Sequence, residues 1–261
     1  MPACHALRWR KRGDPRMTLL GIDVGGSAIK AAPVDVSNGA LVAPVVSVPT
    51  PMPATPAQIK PLVADLASRF PGVTGPIGLA FPSVVKAGLA CTAANVDPSW
   101  IGHDGAQLVR EATGRSAAFI NDADAAGLAE MRHGAGRGES GLVIVLTFGT
   151  GIGSAIFHAG RLVPNTEFGR MEIRGQEAEL RAAARTRAAA GLDWEAWAER
   201  VNEVLERMQV LFWPDLFIIG GGVTENWSGF GPLLKSPARI APARFGNTAG
   251  IIGAALAAAQ L

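Results

Sequence analysis

The chain of 261 residues is 48% hydrophobic and 18% charged, so it can bury a substantial core and lacks the composition of a disordered protein. Its 24 basic and 22 acidic residues leave a formal charge of +2, which gives no support for a nucleic-acid partner. Cys4 and Cys91 are the only cysteines and lie far apart, so we expect neither a disulfide framework nor a cysteine zinc site, and the reducing cytosol is the expected compartment.

Neither end of the chain carries a membrane signal. Residues 1–16 are basic, but the apolar run from Leu19 breaks at Asp23, so they are interpreted as a loose leader rather than a secretory signal. The C-terminal run AGIIGAALAAAQL is too short to span a bilayer and is typical of a tightly packed helix. We therefore expect a cytoplasmic protein with no membrane partner.

In chain order, the first predicted elements form an antiparallel meander of TLLGIDV, AIKAAPVDV and the extended run ALVAPVVSV. Prolines between Pro44 and Pro56 indicate a loop, which is followed by a helix over about 56–69 and the strand PIGLAFP. A helix is then predicted between Gly102 and Gly114. The strand AAFI ends at Asn121, and an alanine-rich helix starts near Asp122, with one of these two residues as its N-cap.

The second half begins as the first does. The block GLVIVLTFGTGIGSAIFHAGRLV repeats the order of apolar strand, glycine turn and apolar strand, which suggests a duplicated unit. Helices are predicted over about 174–190 and 193–212, followed by a strand in PDLFIIGGG and a small-residue helix. We expect a leader over 1–16, a small N-terminal domain over 17–121 and a large C-terminal domain over 122–261. The final helix, about 246–260, is a candidate to pack back toward the N-terminal domain.

The first motif that suggests chemistry is Gly21-Ile22-Asp23-Val24-Gly25-Gly26-Ser27. An acidic residue closes a buried strand beside two glycines and a hydroxyl. Glycines let the backbone approach a phosphate closely, and successive N–H groups form an anion-binding concavity. Asp23 would then orient hydrated magnesium. A plain hairpin with a polar cap explains this motif equally well when it is taken alone.

A second glycine motif is Thr147-Phe148-Gly149-Thr150-Gly151-Ile152-Gly153. It partly matches a dinucleotide-binding fingerprint, but such a loop must open a helix, whereas the segment SAIFHAG that follows predicts the second strand of a hairpin. We therefore interpret it as a second phosphate loop. The sequence contains no GxxxxGK[ST] pattern, which disfavours a P-loop kinase.

Asn121-Asp122-Ala123-Asp124 lies at the junction of the two apparent halves. Phosphoryl transfer to a sugar hydroxyl needs a carboxylate within hydrogen-bond reach of that hydroxyl, and Asp122 is the candidate base. An N-cap aspartate without a catalytic role is the competing interpretation.

Acids and amides pair well with vicinal hydroxyls, so we predict sugar contacts from Asn95, Glu167 and Glu179, although scattered surface acids are the alternative. Five arginines would suit phosphate oxygens, or equally a solvated helix face, and a family resemblance rather than their spacing makes them a candidate track for a polyanion. They are Arg132, Arg137, Arg181, Arg185 and Arg187.

Together these motifs closely resemble the ROK family of sugar kinases, and in particular its polyphosphate glucokinase branch, which includes bifunctional polyphosphate/ATP glucomannokinases. The likeness extends from about Leu19 to Ala259. Its most specific pieces follow the family's order and are GIDVGGSAIK, AANVDPSW, NDADAAGLAE, LTFGTGIGSAIF, LVPNTEFGRMEI, DLFIIGGGV and NTAGIIGAALAA.

The resemblance implies an α/β, ribonuclease-H-like (actin-type) fold of two domains, with the ligand cleft between them. It implies transfer of a phosphoryl group from polyphosphate or ATP to the 6-hydroxyl of glucose, with Mg²⁺ as cofactor, and it leaves open both mannose as an acceptor and the choice between monomer and homodimer. Asp122 matches the catalytic base. The sugar-contacting positions are Asp122, Asn95, Asn121, Glu167, Glu179 and, more weakly, Ser83. The phosphate-binding positions are Gly25, Gly26, Ser27 and Lys30, then Thr150 and Gly151, and Gly221 and Gly222 on the adenosine side.

The chain departs from the family at three places. RGQEAELR stands where many ROK proteins have a CxCGxxGC zinc segment, so no zinc is predicted. Arg170 stands where histidine is usual, and an ion pair with Glu167 or Glu172 is expected instead. Ser27 replaces the commoner threonine and keeps the hydroxyl.

Two alternative functions compete with the glucokinase interpretation. A kinase for an N-acetylated amino sugar or for fructose is the nearest, because pocket shape separates these enzymes better than motifs do. A sugar-responsive transcription regulator would need a helix-turn-helix module, and the 16 residues that precede the fold are too few for one.

Overall fold

The computed structural model describes residues 17–261, so the predicted leader and Cys4 lie outside the described residues. The chain divides into two compact units. Among the described residues, the first contains residues 17–125 together with Gly250–Leu261, and the second contains Ala126–Ala249. The first break therefore falls shortly after residue 121, where the sequence predicts a domain boundary; the domain limits themselves stay a prediction.

The secondary structure of the described residues is mixed. The strands are β1 (Thr18–Val24), β2 (Ala28–Asp35), β3 (Ala40–Leu41), β4 (Val46–Pro49), β5 (Ile77–Phe81), β6 (Val85–Lys86), β7 (Leu89–Ala90), β8 (Ala117–Asn121), β9 (Leu142–Phe148), β10 (Ile152–His158), β11 (Arg161–Val163), β12 (Glu172–Ile173), β13 (Gln176–Glu177), β14 (Leu216–Gly220) and β15 (Arg239–Pro242). The helices are α1 (Pro56–Ser68), α2 (Gly105–Thr113), α3 (Asp122–His133), α4 (Ala178–Ala182), α5 (Ala184–Ala189), α6 (Trp194–Phe212), α7 (Trp227–Phe230) and α8 (Ala249–Ala258).

Each unit is built on one main sheet, and the two sheets follow the same plan. In the first unit the order is β3-β2-β1-β5-β8, with β4 also paired to β2; β1 is antiparallel to β2 and parallel to β5. In the second unit the order is β11-β10-β9-β14-β15, with β9 antiparallel to β10 and parallel to β14. The two sheets thus show the repetition that the glycine-turn pattern of the sequence suggests.

The first sheet has an apolar face and a small-residue face. Leu20 and Ile22 of β1 point into a core with α1 and α2, because alternate residues of a strand face opposite sides. Gly21 faces the other way, where an added Cβ would overlap the backbone of Ile251 in α8. Gly78 of β5 meets α8 in the same manner. Glycine at these positions lets the small-residue helix α8 pack directly on the sheet.

The second sheet packs one face against α6. Asp193 caps this helix by accepting a hydrogen bond from the amide of Ala196 at 2.8 Å, and Trp197 lies fully buried in the core against Phe148. On the other face, Gly127 of α3 lies against Phe157 of β10, where a Cβ would be too close to the ring. The helix predicted over 193–212 is therefore confirmed.

Two predicted elements are wrong. The helix predicted over about 174–190 is instead the hairpin β12–β13 followed by α4 and α5, because Arg174 and Gly175 both have positive φ and form a tight turn, and Ala183 is extended. The extended run predicted for ALVAPVVSV is two separate strands, β3 and β4, each paired with β2.

Within the described residues, no helix has both the length and the apolar character to cross a bilayer.

Candidate active site

In the first unit, the site residues predicted from the sequence follow the carboxyl ends of parallel strands. Strands β1, β5 and β8 are neighbours, and their ends lead into the glycine turn at 25–27, into Ser83 and into Asp122. Carboxyl ends of adjacent parallel strands lie at one edge of a sheet, which is where open α/β sheets bind ligands. The sheet topology therefore brings these three segments to one edge.

The first glycine turn is held by a threonine that the sequence analysis did not identify. The Thr50 hydroxyl donates to the carbonyl oxygen of Gly25 at 2.6 Å, and the Thr50 amide donates to the carbonyl oxygen of Ser27 at 3.1 Å. Gly26 and Ser27 are exposed at the tip. The turn is thus fixed at its base and open at its tip, as an anion-binding turn requires.

Asp23 lies at the end of β1, opposite Lys30 of β2. Burial raises the pKa of the Asp23 carboxyl to about 6, and the positive charge of Lys30 opposes this increase. Gly250, at the start of α8, packs against the carboxyl group: an added Cβ would lie 2.7 Å from the Asp23 Cγ. Gly250 is a second residue near this turn that sequence reasoning missed.

The donor set around Asp23 fits a magnesium ion that is bound mainly by a substrate. Mg²⁺ commonly uses one or two carboxylates together with substrate phosphates and water. Among residues 17–261, no group of three or more His, Cys, Asp or Glu side chains could hold a metal ion. A single carboxylate beside the glycine turn that the sequence predicts to bind phosphate fits this kind of magnesium site; the absence of zinc stays a prediction.

Asn121 and Asp122 have different local roles at the start of α3. The buried Asn121 side chain donates to the carbonyl oxygen of Ser83 at 3.0 Å and accepts from the amide of Asp124 at 3.0 Å, so Asn121 is the N-cap. The Asp122 carboxylate accepts from the amide of Ala123 at 2.8 Å and remains partly exposed. The cap thus fixes the backbone from which Asp122 projects.

Ser83 lies in a buried hydrogen-bond network rather than on an open surface. Its hydroxyl donates to the carbonyl oxygen of Val84 at 2.9 Å and accepts from the amide of Thr92 at 3.1 Å. Only 2% of Ser83 is exposed, whereas Asn95, farther along the same connection, is exposed. The network ties the segment that carries Asn95 to the end of β5, and Thr92 was not identified from the sequence.

In the second unit, two glycine turns follow adjacent parallel strands. Thr150 is exposed in the turn between β9 and β10, and β14, which is followed by Gly221 and Gly222, pairs with β9. Gly221 has φ of +89°, and a Cβ there would overlap the backbone of Phe148. Glycine is therefore required at position 221 for the turn after β14 to lie beside the end of β9.

Glu179 and Glu167 lie close together in the second unit. The Glu179 carboxylate accepts from the amide of Ile152 at 3.4 Å, immediately after the turn that contains Gly151. Glu167 is exposed as a residue, but partial desolvation of its carboxyl raises the pKa of that group. The positive charge of Arg170 opposes this increase in pKa, and the negative charge of Glu179 adds to it. Two acids predicted from separate motifs are therefore neighbours.

Three arginines of the predicted track have different surroundings in the structure. Arg181 forms an ion pair with Glu203 at 2.5 Å, and the Arg187 guanidinium lies 3.7 Å from the centroid of the Trp194 ring. Arg185 is exposed, and its amide donates to the carbonyl oxygen of Gly149 at 3.1 Å, so it adjoins the second glycine turn. Of these three arginines, Arg185 is the one placed beside a predicted phosphate loop.

Comparison with known proteins identifies clear relatives. The model of the ROK family matches residues 19–172. A polyphosphate glucokinase of Mycobacterium tuberculosis is 48% identical over 238 residues, which cover 91% of this chain and 89% of that protein. The crystal structure of an inorganic polyphosphate/ATP-glucomannokinase from Arthrobacter sp. strain KM has a TM-score of 0.89 at 42% identity and covers 93% of this chain and 98% of that one.

A more distant structure supports the same fold. A ROK family glucokinase from Streptomyces griseus, solved with glucose and AMPPNP, has a TM-score of 0.80 at 24% identity and covers 91% of this chain and 98% of that one. Together with the two similarly ordered sheets, these matches confirm the predicted α/β fold of the ribonuclease-H-like, actin type.

Proposed function

The chain belongs to the ROK family, and from this premise we propose that it transfers a phosphoryl group from inorganic polyphosphate or ATP to the 6-hydroxyl of glucose. The product is glucose 6-phosphate. Relatives that are 48% and 42% identical are named polyphosphate glucokinase and polyphosphate/ATP-glucomannokinase, which supports both donors.

The observation that carries this proposal is the placement of Asp122. Its partly exposed carboxylate lies at the carboxyl edge of β1, β5 and β8, the same edge as the glycine turn at 25–27. A kinase that acts on a hydroxyl needs a carboxylate and a phosphate-binding backbone on one surface. The capped start of α3 supports such a carboxylate on a rigid element.

In the proposed mechanism, Asp122 accepts the proton of the sugar 6-hydroxyl while that oxygen attacks the terminal phosphorus of the donor. The bond from phosphorus to the bridging oxygen breaks, and ADP or a polyphosphate shortened by one unit leaves. Backbone N–H groups of the turn at Gly25–Ser27 would stabilise the charge on the phosphate oxygens, and Thr150 and Gly151 form the corresponding glycine turn of the second unit.

The donor side has three further parts. Lys30 adds a positive charge next to the first turn, and Gly221 and Gly222 leave room for the adenosine end of ATP. Mg²⁺, held through water by Asp23, would neutralise charge on the donor phosphates.

The acceptor side is a set of acids, amides and one hydroxyl. Glu167 and Glu179 would accept hydrogen bonds from sugar hydroxyls, and the exposed Asn95 offers both a donor and an acceptor. Asn121 and Ser83 have their polar groups engaged within the fold, so their contribution to the sugar site is chiefly to hold Asp122 and the Asn95 segment.

A coupled assay for hexose 6-phosphate tests the proposal. Purified protein with magnesium is given ATP or long-chain polyphosphate as donor, and glucose, mannose or an N-acetylated amino sugar as acceptor. We expect turnover of glucose with both donors. Turnover with ATP alone would remove the polyphosphate part, and turnover of an N-acetylated sugar but not of glucose would overturn the acceptor assignment.

A further inference from the structure

Ser154, on β10, is a buried polar residue with an unusual set of partners. It is 1% exposed, and its hydroxyl donates to the carbonyl oxygen of Thr166 at 2.8 Å and accepts from the amide of Phe168 at 3.1 Å. The Thr166 hydroxyl in turn donates to the carbonyl oxygen of Ser154 at 2.9 Å. One hydroxyl thus holds the chain on both sides of Glu167.

Glu167 needs such a restraint for an electrostatic reason. The Glu179 carboxylate lies against Gly169, two residues after Glu167, because an added Cβ there would be 3.3 Å from its Oε2. The two negative charges interact, and like charges in a partly desolvated place repel. The Glu167 side chain is exposed, so it has room to turn away into solvent. A sugar that bridges both carboxylates binds well only if they are held together before it arrives, because ordering them on binding costs affinity.

The neighbouring contacts show that β10 organises both acids. The amide of Ile152, two residues before Ser154, donates to the Glu179 carboxylate at 3.4 Å. Gly169 packs so closely on the backbone of Ile152 that a Cβ would overlap its carbonyl oxygen. The first three residues of β10 therefore hold Glu179 through an amide and the Glu167 segment through a hydroxyl.

We propose that Ser154 is a positioning residue for the acceptor sugar, which keeps Glu167 beside Glu179 in the geometry that binds glucose. The proposal rests on the proposed function, since it assigns a substrate to this pair of acids. It predicts that loss of the Ser154 hydroxyl weakens the binding of the sugar but not the binding of the phosphoryl donor.

The test is the variant Ser154→Ala in the full chain. We expect the KM for glucose to rise about tenfold, while kcat and the KM values for ATP and polyphosphate stay within about twofold of the wild type, because the change removes ground-state and transition-state sugar binding equally. The Kd for glucose measured by calorimetry without a donor should rise by the same factor. Ser154→Thr, which keeps the hydroxyl, should restore both values.

A matched control is Thr113→Val in α2. The Thr113 hydroxyl also donates to a carbonyl and accepts from an amide, those of Val109 and Arg115 at 2.7 and 3.2 Å, but it lies far along the chain from both acids. We expect Thr113→Val to lower Tm without changing the KM for glucose. A purely structural role for Ser154 would give this same pattern and would overturn the proposal.

The remaining outcomes separate the two proposals. A wild-type protein that neither phosphorylates nor binds glucose overturns the proposed function and this inference with it. An active wild type whose Ser154→Ala variant keeps the KM for glucose, or loses sugar and donor affinity equally, overturns this inference alone. If the alanine variant does not fold, Ser154→Cys, which keeps the shape of the side chain and fills the site but forms only weak hydrogen bonds, carries the same expectation.

Discussion

Adjacent polar residues at the start of α3 are not equivalent. Both polar groups of the Asn121 side chain make hydrogen bonds within the fold, one to the backbone of Ser83 and one from the backbone of Asp124. Asp122 accepts from its neighbour's amide and remains partly exposed. At the residue scale, Asn121 therefore fixes the backbone at the start of α3, and Asp122 presents its carboxylate from that fixed backbone.

Asp122→Asn tests the assignment of the base. Asparagine keeps the shape and the acceptor oxygen for the amide of Ala123 but cannot take a proton, so kcat should fall by roughly 10²- to 10⁴-fold while the Kd for glucose stays within about threefold. Turnover is measured by the coupled assay and binding by calorimetry. Asp65→Asn, which alters an exposed ion pair between Asp65 of α1 and Arg69 just after this helix, is the control and should leave kcat unchanged. An Asp122→Asn enzyme that loses glucose binding but keeps turnover would contradict the role of base.

The raised pKa of Asp23 has a consequence for stability. The folded protein binds this proton more tightly than the unfolded chain does, because the pKa is about 6 rather than 3.8. The stabilisation of the folded state by this proton is therefore fully present below about pH 4 and is lost as the pH rises through about 6. In EDTA, the free energy of unfolding of the wild type, relative to Asp23→Asn, should fall by up to about 3 kcal/mol between pH 4 and pH 7.

Urea denaturation of both proteins at several pH values measures this difference. The comparison between variants removes the contributions of other titrating groups, which the two proteins share. A constant difference in the free energy of unfolding across this range would show that Asp23 titrates normally in the folded state.

At the element scale, α8 depends on a sheet face without side chains. Gly21 and Gly78 belong to neighbouring parallel strands, and each would place a Cβ into the backbone of this helix. Interpenetrating backbone atoms cannot be relieved by a change of rotamer, so the helix itself would have to move. Gly250, in the same helix, contacts Asp23, so this packing also supports the end of β1 beside the first glycine turn.

Gly78→Ala should therefore be strongly destabilising. We expect a loss of about 3 kcal/mol or more in the free energy of unfolding, at the upper end of the usual cost of overpacking. Gly72→Ala is the matched control, since a Cβ at Gly72 would meet no atom within 4 Å and the residue is exposed. Urea denaturation of both variants measures the effect, and equal stability of the two would disprove the packing argument.

The elements that could be predicted are those whose signal is local. Helix α6 has a regular apolar stripe and an aspartate cap, and it was predicted within one residue of its start. The helix predicted over about 174–190 is wrong because the alanine and arginine content of this region favours a helix. The turn at Arg174 and Gly175 and the extended Ala183 break that pattern, and alanine and arginine give no sign of either break.

At the scale of the whole molecule, a formal charge of +2 creates little long-range attraction for a polyanion. The proposed use of polyphosphate must then depend on local positive charge. Two of the candidate arginines already have partners, since Arg181 forms an ion pair with Glu203 and Arg187 stacks over the Trp194 ring. Arg185, exposed beside the second glycine turn, is the candidate that this arrangement favours.

Arg185→Ala should weaken the use of polyphosphate more than the use of ATP. A long polyanion makes more phosphate contacts, so we expect the KM for polyphosphate to rise about fivefold or more, and the slope of its logarithm against the logarithm of salt concentration to decrease by about one. The coupled assay at several salt concentrations measures both. Arg207→Ala, at an exposed position of α6, is the control; equal effects from the two variants would point to nonspecific charge.

The amino-acid sequence by itself determined the glycine turns, the candidate base, the candidate sugar contacts and the family, because each depends on residue types at short spacing. Tertiary structure decided which side chains are already engaged, and it brought β14 beside β9 and Glu167 beside Glu179. It also supplied Thr50 and Ser154, which hold the first turn and the Glu167 segment. These contacts join residues distant along the chain, and only the folded backbone determines which distant residues meet.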